Sequence, residues 1–357
     1  MNSIDTSKPV LITGGSGYVA GWIIKLFLEE GLSVHTTVRN PSKPSSVDHL
    51  KEMAANSPGK LKIFQADLLD PGSFDAAMVG CELVLHTASP FFISGFKDAN
   101  EALVKPAKEG TQNVLGSVNR TDTVKRVVLT SSVAAIYGDT IDVRNAHNGI
   151  FTEEHWNETS SADHQPYNYS KTLAEGEAWR ISKSQDRWDL VVVNPGLILG
   201  PSLSLDTHSE SIRTILRLSD GTFRLGVPQL WLPIVDVRDV AQAHYNAAFM
   251  PAAKGRHIVV AGEVTLLDIS NCLQKDFGKK FPFPKRQIPK PLMWLAAPFY
   301  DITRPFVCRN VGYPITMSNR YSREHLKMSY RPIDQTVIDH FQQVLDDGLL
   351  TTGAERD

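Results

Sequence analysis

Tyr167 and Lys171 stand four residues apart in Tyr167-Asn168-Tyr169-Ser170-Lys171. On a helix that spacing is one turn, so a phenol and an ammonium share a face. A free phenol ionises near ~10, too high for ready proton exchange at neutral pH, and a neighbouring positive charge lowers that value by favouring the phenolate. The pair therefore suits acid–base work on an oxygen atom. Tyr169 has leucine, not lysine, four residues on and is expected to face away. The chain holds nine tyrosines, so chance alone supplies roughly half such a match in a chain of this length, and support must come from elsewhere.

The elements that would position the pair alternate short β-branched runs with amphipathic stretches, the pattern of strand–helix–strand units and a parallel sheet. Strands are expected at Val10–Thr13, Ser33–Arg39, Leu61–Ala66, Leu83–Thr87, Arg126–Ser131, Leu190–Asn194 and Arg256–Val260. Between the first two, Val19, Ile23, Leu26 and Phe27 recur at helical spacing and Gly31 follows as a stop. Pro166 suits the first position of the helix that carries Tyr167, where its missing N–H is not needed. Further on, a helix-like stretch spans Ser209–Leu218, Leu232-Pro233-Ile234-Val235 leads into a helix over Val237–Phe249, and Asp236 is its expected N-cap.

Thr13-Gly14-Gly15-Ser16-Gly17-Tyr18-Val19-Ala20 follows a strand and opens a helix, the setting in which glycines let backbone amides approach a pyrophosphate. Gly14, Ser16, Gly17, Tyr18 and Val19 are its candidate contacts, and Ala20 stands at the third small position. The second strand ends in Thr37-Val38-Arg39-Asn40-Pro41 with no carboxylate for a ribose hydroxyl. Arg39, helped by Lys43, instead suits a 2′-phosphate. One charge-assisted hydrogen bond of about 1.5–3 kcal/mol favours NADPH over NADH roughly tenfold to hundredfold. Asp67-Leu68, after the third strand, suits either a helix cap or the adenine edge. His86-Thr87-Ala88-Ser89-Pro90 closes the fourth strand where cofactors lie, with His86 read as structural. Thr130-Ser131-Ser132 ends the fifth strand, where a hydroxyl can bond a substrate oxygen held beside Tyr167.

Bulk properties narrow the classes. A chain of 357 residues, 42% hydrophobic and 21% charged, is that of an ordinary globular protein with room for a large core. A net charge of -2 and the lack of a long basic run argue against nucleic acid. Cys81, Cys272 and Cys308 lack metal-type or paired spacing and fit a reducing compartment. The polar start has no apolar signal core, and the apolar run Pro291–Tyr300 is too short to span a bilayer. A cytoplasmic monomer or homodimer is expected, with no metal.

Taken with Asn194-Pro195-Gly196 and Val235-Asp236-Val237-Arg238-Asp239-Val240-Ala241, these segments resemble the extended short-chain dehydrogenase/reductase family over nearly the whole chain. The branch most similar is that of dihydroflavonol 4-reductase, cinnamoyl-CoA reductase and the yeast-type methylglyoxal/aldehyde reductases. The resemblance implies an α/β Rossmann-type doubly wound parallel sheet with a smaller, interleaved C-terminal substrate lobe. Residues 1–195 with 232–262 would bind NADP(H), residues 196–231 with 263–350 would form the substrate lobe, and 351–357 a tail. It also implies roles. Ser132, with Ser131 as the alternative, would polarise a carbonyl; Tyr167 would protonate it; Lys171 would hold the nicotinamide ribose and lower the Tyr167 pKa. Pro195 and the backbone at Leu197 and Ile198 would line the nicotinamide, beside Thr87, Ala88 and Ser89.

The expected activity is reversible NADPH-dependent reduction of an aldehyde or ketone with an apolar or aromatic body. Tyr137 stands where flavonoid reductases of this branch carry an asparagine, which argues against a dihydroflavonol. Phe91, Phe92, Tyr137 and Trp231 are the expected pocket, and Pro289–Tyr313 is either a further pocket wall or core. Alternatives on the same scaffold are a nucleotide-sugar epimerase or dehydratase and a steroid-type 3β-hydroxy dehydrogenase. Val133, Ala134 and Ala135 lack the acidic residues that dehydratases of this kind place after the hydroxyl residue. A non-catalytic NADPH sensor would be expected to lose Tyr167 or Lys171.

Overall fold

The computed structural model describes residues 3–89, 98–204, 210–300 and 302–350. Phe91 and Phe92 of the expected pocket and the tail 351–357 lie outside them.

The first half builds β1 (Val10–Ile12), α1 (Tyr18–Glu29), β2 (Ser33–Val38), α2 (Pro44–Ala55), β3 (Lys60–Gln65), α3 (Asp75–Met78), β4 (Leu83–His86), α4 (Lys105–Arg120), β5 (Arg126–Thr130), α5 (Pro166–Ser182) and β6 (Asp189–Pro195). The second half adds β7 (Leu197–Leu199), α6 (Glu210–Ser219), β8 (Val227–Pro228), β9 (Trp231–Asp236), α7 (Val237–Phe249), β10 (Gly255–Val259), β11 (Gly262–Thr265), α8 (Leu266–Phe277) and β12 (Gln287–Ile288). Helices α9 (Lys290–Ala296), α10 (Arg304–Asn310), α11 (Arg320–His325) and α12 (Ile333–Asp346) follow.

Among the described residues, seven strands pair in the order β3-β2-β1-β4-β5-β6-β10, every pair parallel. A parallel sheet is covered on both faces, and its strands accordingly read as continuous apolar runs. Val10 and Ile12 of β1 pack with Ile23 and Phe27 of α1 and Val240 of α7 on one face. Leu11, between them, packs with Val114 and Leu115 of α4 and Ala178 of α5 on the other. The strand order reverses between β1 and β4, and a crevice opens beyond the carboxyl ends at such a switch point.

Strand β9 departs from the expected first lobe. It pairs with β7 and β11 in a separate three-stranded sheet, and Pro233, with no N–H to donate, suits a short ladder better than the interior of the main one. Helix α7 and β10 do return to the main sheet. Asp236 caps α7 by accepting the Arg238 N–H at 2.8 Å, and the Arg238 guanidinium bridges Asp236 at 2.6 Å and Asp339 of α12 at 2.7 Å.

The smaller lobe is built around α12. Phe341 is fully buried, with ring centroids of Phe277, Phe281 and Phe283 at 4.7, 5.3 and 5.4 Å. Two side chains of α1 tie the lobes together: Tyr18 donates to the Gly200 carbonyl at 2.6 Å and Trp22 to the Pro201 carbonyl at 2.7 Å. Truncating Phe341→Ala leaves a cavity in that cluster and is expected to cost about 3–5 kcal/mol, read as a lowered denaturant midpoint with an unchanged slope.

Candidate active site

The turn after β1 is shaped by exclusion. Gly14 has φ +73°, and a Cβ there would lie 3.0 Å from the Ala88 Cα; a Cβ on Gly15 would overlap Thr36 Oγ1 at 2.3 Å. Helix α1 then begins at Gly17 with no side-chain cap and no acidic residue in its first turn. Such an end, with N–H groups not met by a side chain, favours an anion. The Tyr18 hydroxyl is spent on Gly200, so only its backbone is available to a cofactor. Thr13 fixes the neighbouring strand end: its hydroxyl accepts from the Thr87 and Ala88 N–H groups at 3.1 Å each and meets His86 Nδ1 at 3.0 Å. Burial pushes His86 down to about 3, and the Lys171 ammonium adds to this, so the ring is neutral.

Arg39 and Lys43 are both exposed beyond the end of β2, on the same side of the sheet as the glycine turn. Asp67 serves neither as a helix cap nor as a buried group. Its carboxylate accepts the Leu69 N–H at 2.9 Å in a local turn, while Phe74 holds the N-cap position of α3. Leu68 packs under α4, where only a glycine, Gly110, fits against it.

Pro166 opens α5 after Gln165 in the left-handed region, φ 57°. The helix brings Tyr167 against the end of β5, and its phenol is hydrogen-bonded to Ser132. Ser132 also accepts the Ala134 N–H at 3.2 Å. The adjacent Ser131 points the other way, donating to buried Glu175 at 2.5 Å. Alternating side-chain direction at a strand end separates the two serines. Lys171 is 7% exposed; its ammonium donates to Ser89 Oγ at 3.1 Å and lies 5.9 Å from the centre of the Tyr167 ring.

Burial pushes the Tyr167 phenol well up, and the Ser132 bond acts against that. The net direction in the cofactor-free protein is thus opposite to the lowering expected from Lys171, because burial sets it. Burial also brings Lys171 down to about 8, opposed by Glu175. Tyr167 is therefore a protonated phenol at neutral pH, in a site that still holds most of its ammonium charge.

Pro195 ends β6, and Leu197 and Ile198 continue as β7, pairing with Ile234 and Val235. Tyr137 stacks on Phe151 at 5.1 Å and shares a cluster with Trp231, Ile315 and Met317. The late segment is partly core, through Met293, Val307 and Val311, and partly exposed, through Leu292, Trp294 and Leu295. Its Asn310 donates to buried Asp139 at 2.6 Å, docking α10 on the loop that follows Tyr137.

Residues 10–262 match the model of the NAD dependent epimerase/dehydratase family. The chain belongs to that family. Within its extended short-chain dehydrogenase/reductase branch, a cinnamoyl-CoA reductase of Medicago truncatula is 33% identical over 346 residues, 94% of this chain and 95% of the relative. An anthocyanidin reductase of Vitis vinifera is 36% identical over 281 residues, 76% and 81% of the two chains. The yeast methylglyoxal/isovaleraldehyde reductase, solved in complex with NADPH, superposes with a TM-score of 0.75 at 26% identity, over 96% of this chain and all of that one. This family member is an oxidoreductase of that branch, and its uncapped α1, its glycine cradle and its exposed Arg39 fit a phosphorylated dinucleotide. Among the described residues no helix is long and apolar enough to cross a membrane.

The structure also places residues that the sequence reading passed over. Glu175 continues the Tyr167/Lys171 face one turn further, a spacing visible in the sequence. Its partner Arg256 from β10 carries no local signal, and Asn194, read in the sequence only as part of Asn194-Pro195-Gly196, is the partner from β6.

Buried Lys171 gives a pH test. The unfolded lysine keeps its proton to about 10.5 while the folded one releases it near 8, so between those values the unfolded chain binds more protons and stability rises with pH. Relative to Lys171→Met, the cofactor-free protein is expected to gain stability from about pH 8 to 10.5, read from urea midpoints across that window.

Proposed function

We propose that this protein is an NADPH-dependent reductase of an aldehyde or ketone with an apolar or aromatic body. NADP(H) is the cofactor: the N-terminus of α1 and the glycine cradle hold its pyrophosphate, Arg39 and Lys43 its 2′-phosphate, Lys171 and Ser89 its nicotinamide ribose, and Pro195 with the backbone of Leu197 and Ile198 its nicotinamide. When bound, the dihydronicotinamide supplies a hydride.

The chain's own side chains handle the oxygen. Ser132 donates a hydrogen bond to the carbonyl oxygen and polarises it. Tyr167 Oη, kept protonated by burial, transfers its proton to the same oxygen as negative charge develops there. Lys171 stabilises the phenolate left behind through its positive charge. One observation carries this reading: Ser132, Tyr167 and Lys171 converge at the carboxyl ends of β4 and β5, beside the turn that accepts an anion.

An apolar cluster near the site and the named relatives support the substrate class. Tyr137, Phe151, Trp231, Ile315 and Met317 form an apolar cluster with Val133, the residue after Ser132, and the relatives named above are, by their names, reductases of cinnamoyl-CoA, of anthocyanidin and of methylglyoxal or isovaleraldehyde. Val133, Ala134 and Ala135 are a buried turn after Ser132 and supply no acid for sugar dehydration.

A screen of NADPH oxidation over aldehydes, diketones, hydroxyaryl ketones and steroid ketones tests the class; no oxidation above background on any carbonyl would refute it. Tyr167→Phe is expected to lower turnover about 10²–10⁴-fold while NADPH still binds, measured by fluorescence titration. Arg39→Ala is expected to raise the KM for NADPH roughly tenfold to hundredfold and to leave that for NADH nearly unchanged, checked by initial rates with each cofactor.

A further inference from the structure

Four residues after Lys171, on the same face of α5, Glu175 is fully buried. Its carboxylate is met from every side. Ser131 Oγ donates from the end of β5 at 2.5 Å, Asn194 Nδ2 from the end of β6 at 2.8 Å, Arg256 Nε from β10 at 2.5 Å, and Trp179 Nε1 from its own helix at 3.2 Å. The Asn194 amide gives a further hydrogen bond to the Ser132 carbonyl at 3.1 Å. Arg256 is held in turn by the carbonyls of Ala135, Glu153 and His155 at 3.1, 2.9 and 2.5 Å, with its guanidinium 4.0 Å from the centre of the Trp156 ring.

A buried ion pair adds little net stability over a well-packed apolar substitute, because desolvation offsets the attraction. What this one adds is geometry. The three strand ends that meet at Glu175 include those leading into Ser132 and Pro195, and the helix it sits on carries Tyr167 and Lys171. We propose that Glu175 is a positioning residue of the reductase site: it locks the Tyr167/Lys171 face of α5 to the ends of β5 and β6. This rests on the functional reading above.

The surroundings of Lys171 also make Glu175 the group that favours its charged form. From its own helix it faces Tyr167 and Glu175; from β4 and the residues after it, neutral His86 and the Ser89 hydroxyl; from β5, Thr130 and Ser131; from α4, Ala107 and Thr111. Among these described groups Glu175 is the one whose charge opposes the loss of the lysine proton. Arg256 compensates Glu175 from the far side of the carboxylate.

Glu175→Gln keeps the shape and removes the charge. The expected result is a fall of at least about tenfold in kcat, a downward move of about one unit in the alkaline limb of kcat/KM against pH, and the same move in the Lys171 titration followed by NMR of 13C-lysine-labelled, cofactor-free protein. Glu175→Asp retains the charge and is expected to restore both titrations but not full turnover. Ser131→Ala cuts one tie and leaves the charge, so kcat falls a few-fold with the limb in place; it also decides the matter if Glu175→Gln does not fold. A folded Glu175→Gln whose turnover and Lys171 titration match wild type would overturn the proposal, as would wild-type turnover in both Glu175→Asp and Ser131→Ala. Undiminished turnover in Tyr167→Phe would instead strike the reading of the site itself, so the two failures are distinguishable.

Discussion

Among the described residues one lysine ammonium, that of Lys171, is buried away from water, and the contacts around it are those that keep it charged. Burial alone drives it toward neutrality, and a buried cation persists only where oxygen atoms and an opposite charge replace its hydration. The Ser89 hydroxyl and the Glu175 carboxylate do this from two sides. Glu175 must itself be compensated, which draws in Arg256 from β10, whose remaining N–H groups need the carbonyls of three further residues. One functional charge thus organises contacts among α5, β5, β6 and β10.

The parallel sheet is what makes such a convergence cheap. Its carboxyl ends bring the glycine turn, Ser89, Ser132 and Pro195 to one edge although they are far apart in sequence. Contacts equally distant in the chain, Tyr18 with Gly200 and Arg238 with Asp339, tie α1 and α7 to later segments. Next to Ser132, Val133 packs in an apolar cluster with Tyr137, Phe151, Trp231, Ile315 and Met317. The Ser132 hydroxyl, the Tyr167 phenol and the Lys171 ammonium therefore lie in surroundings of low polarity, where a hydrogen bond to a developing charge would be strengthened.

What was legible in the sequence was what local physics encodes. The seven main-sheet strands fell within one residue of expectation at either end, because buried parallel strands read as apolar runs. Pro166 and Asp236 marked their helices through the chemistry of a missing N–H and of a capping carboxylate. The glycine turn was legible because only glycine fits beneath Ala88 and Thr36. What depended on distant partners was not. Ser131 and Ser132 look alike in sequence and differ only in which way the strand end turns them. Glu175 had the spacing but no visible reason, since Ser131 and Asn194 meet it from neighbouring strands and Arg256 from a strand 81 residues on. The direction of the Tyr167 shift was misread for the same cause: the charge of Lys171 shows in the sequence, whereas the burial that sets the direction does not. The pairing of β9 with β7 and β11 likewise has no local signature.

The most direct test of the site as a carbonyl reductase is to follow the label when the protein turns over NADPH deuterated at the transferable position with an aryl aldehyde. The expected product is an alcohol with one deuterium on the former carbonyl carbon and an oxygen-bound proton from the protein and solvent, formed in step with NADPH consumed and far more slowly with NADH. An unlabelled product, or equal rates with the two cofactors, would contradict the carbonyl-reductase reading.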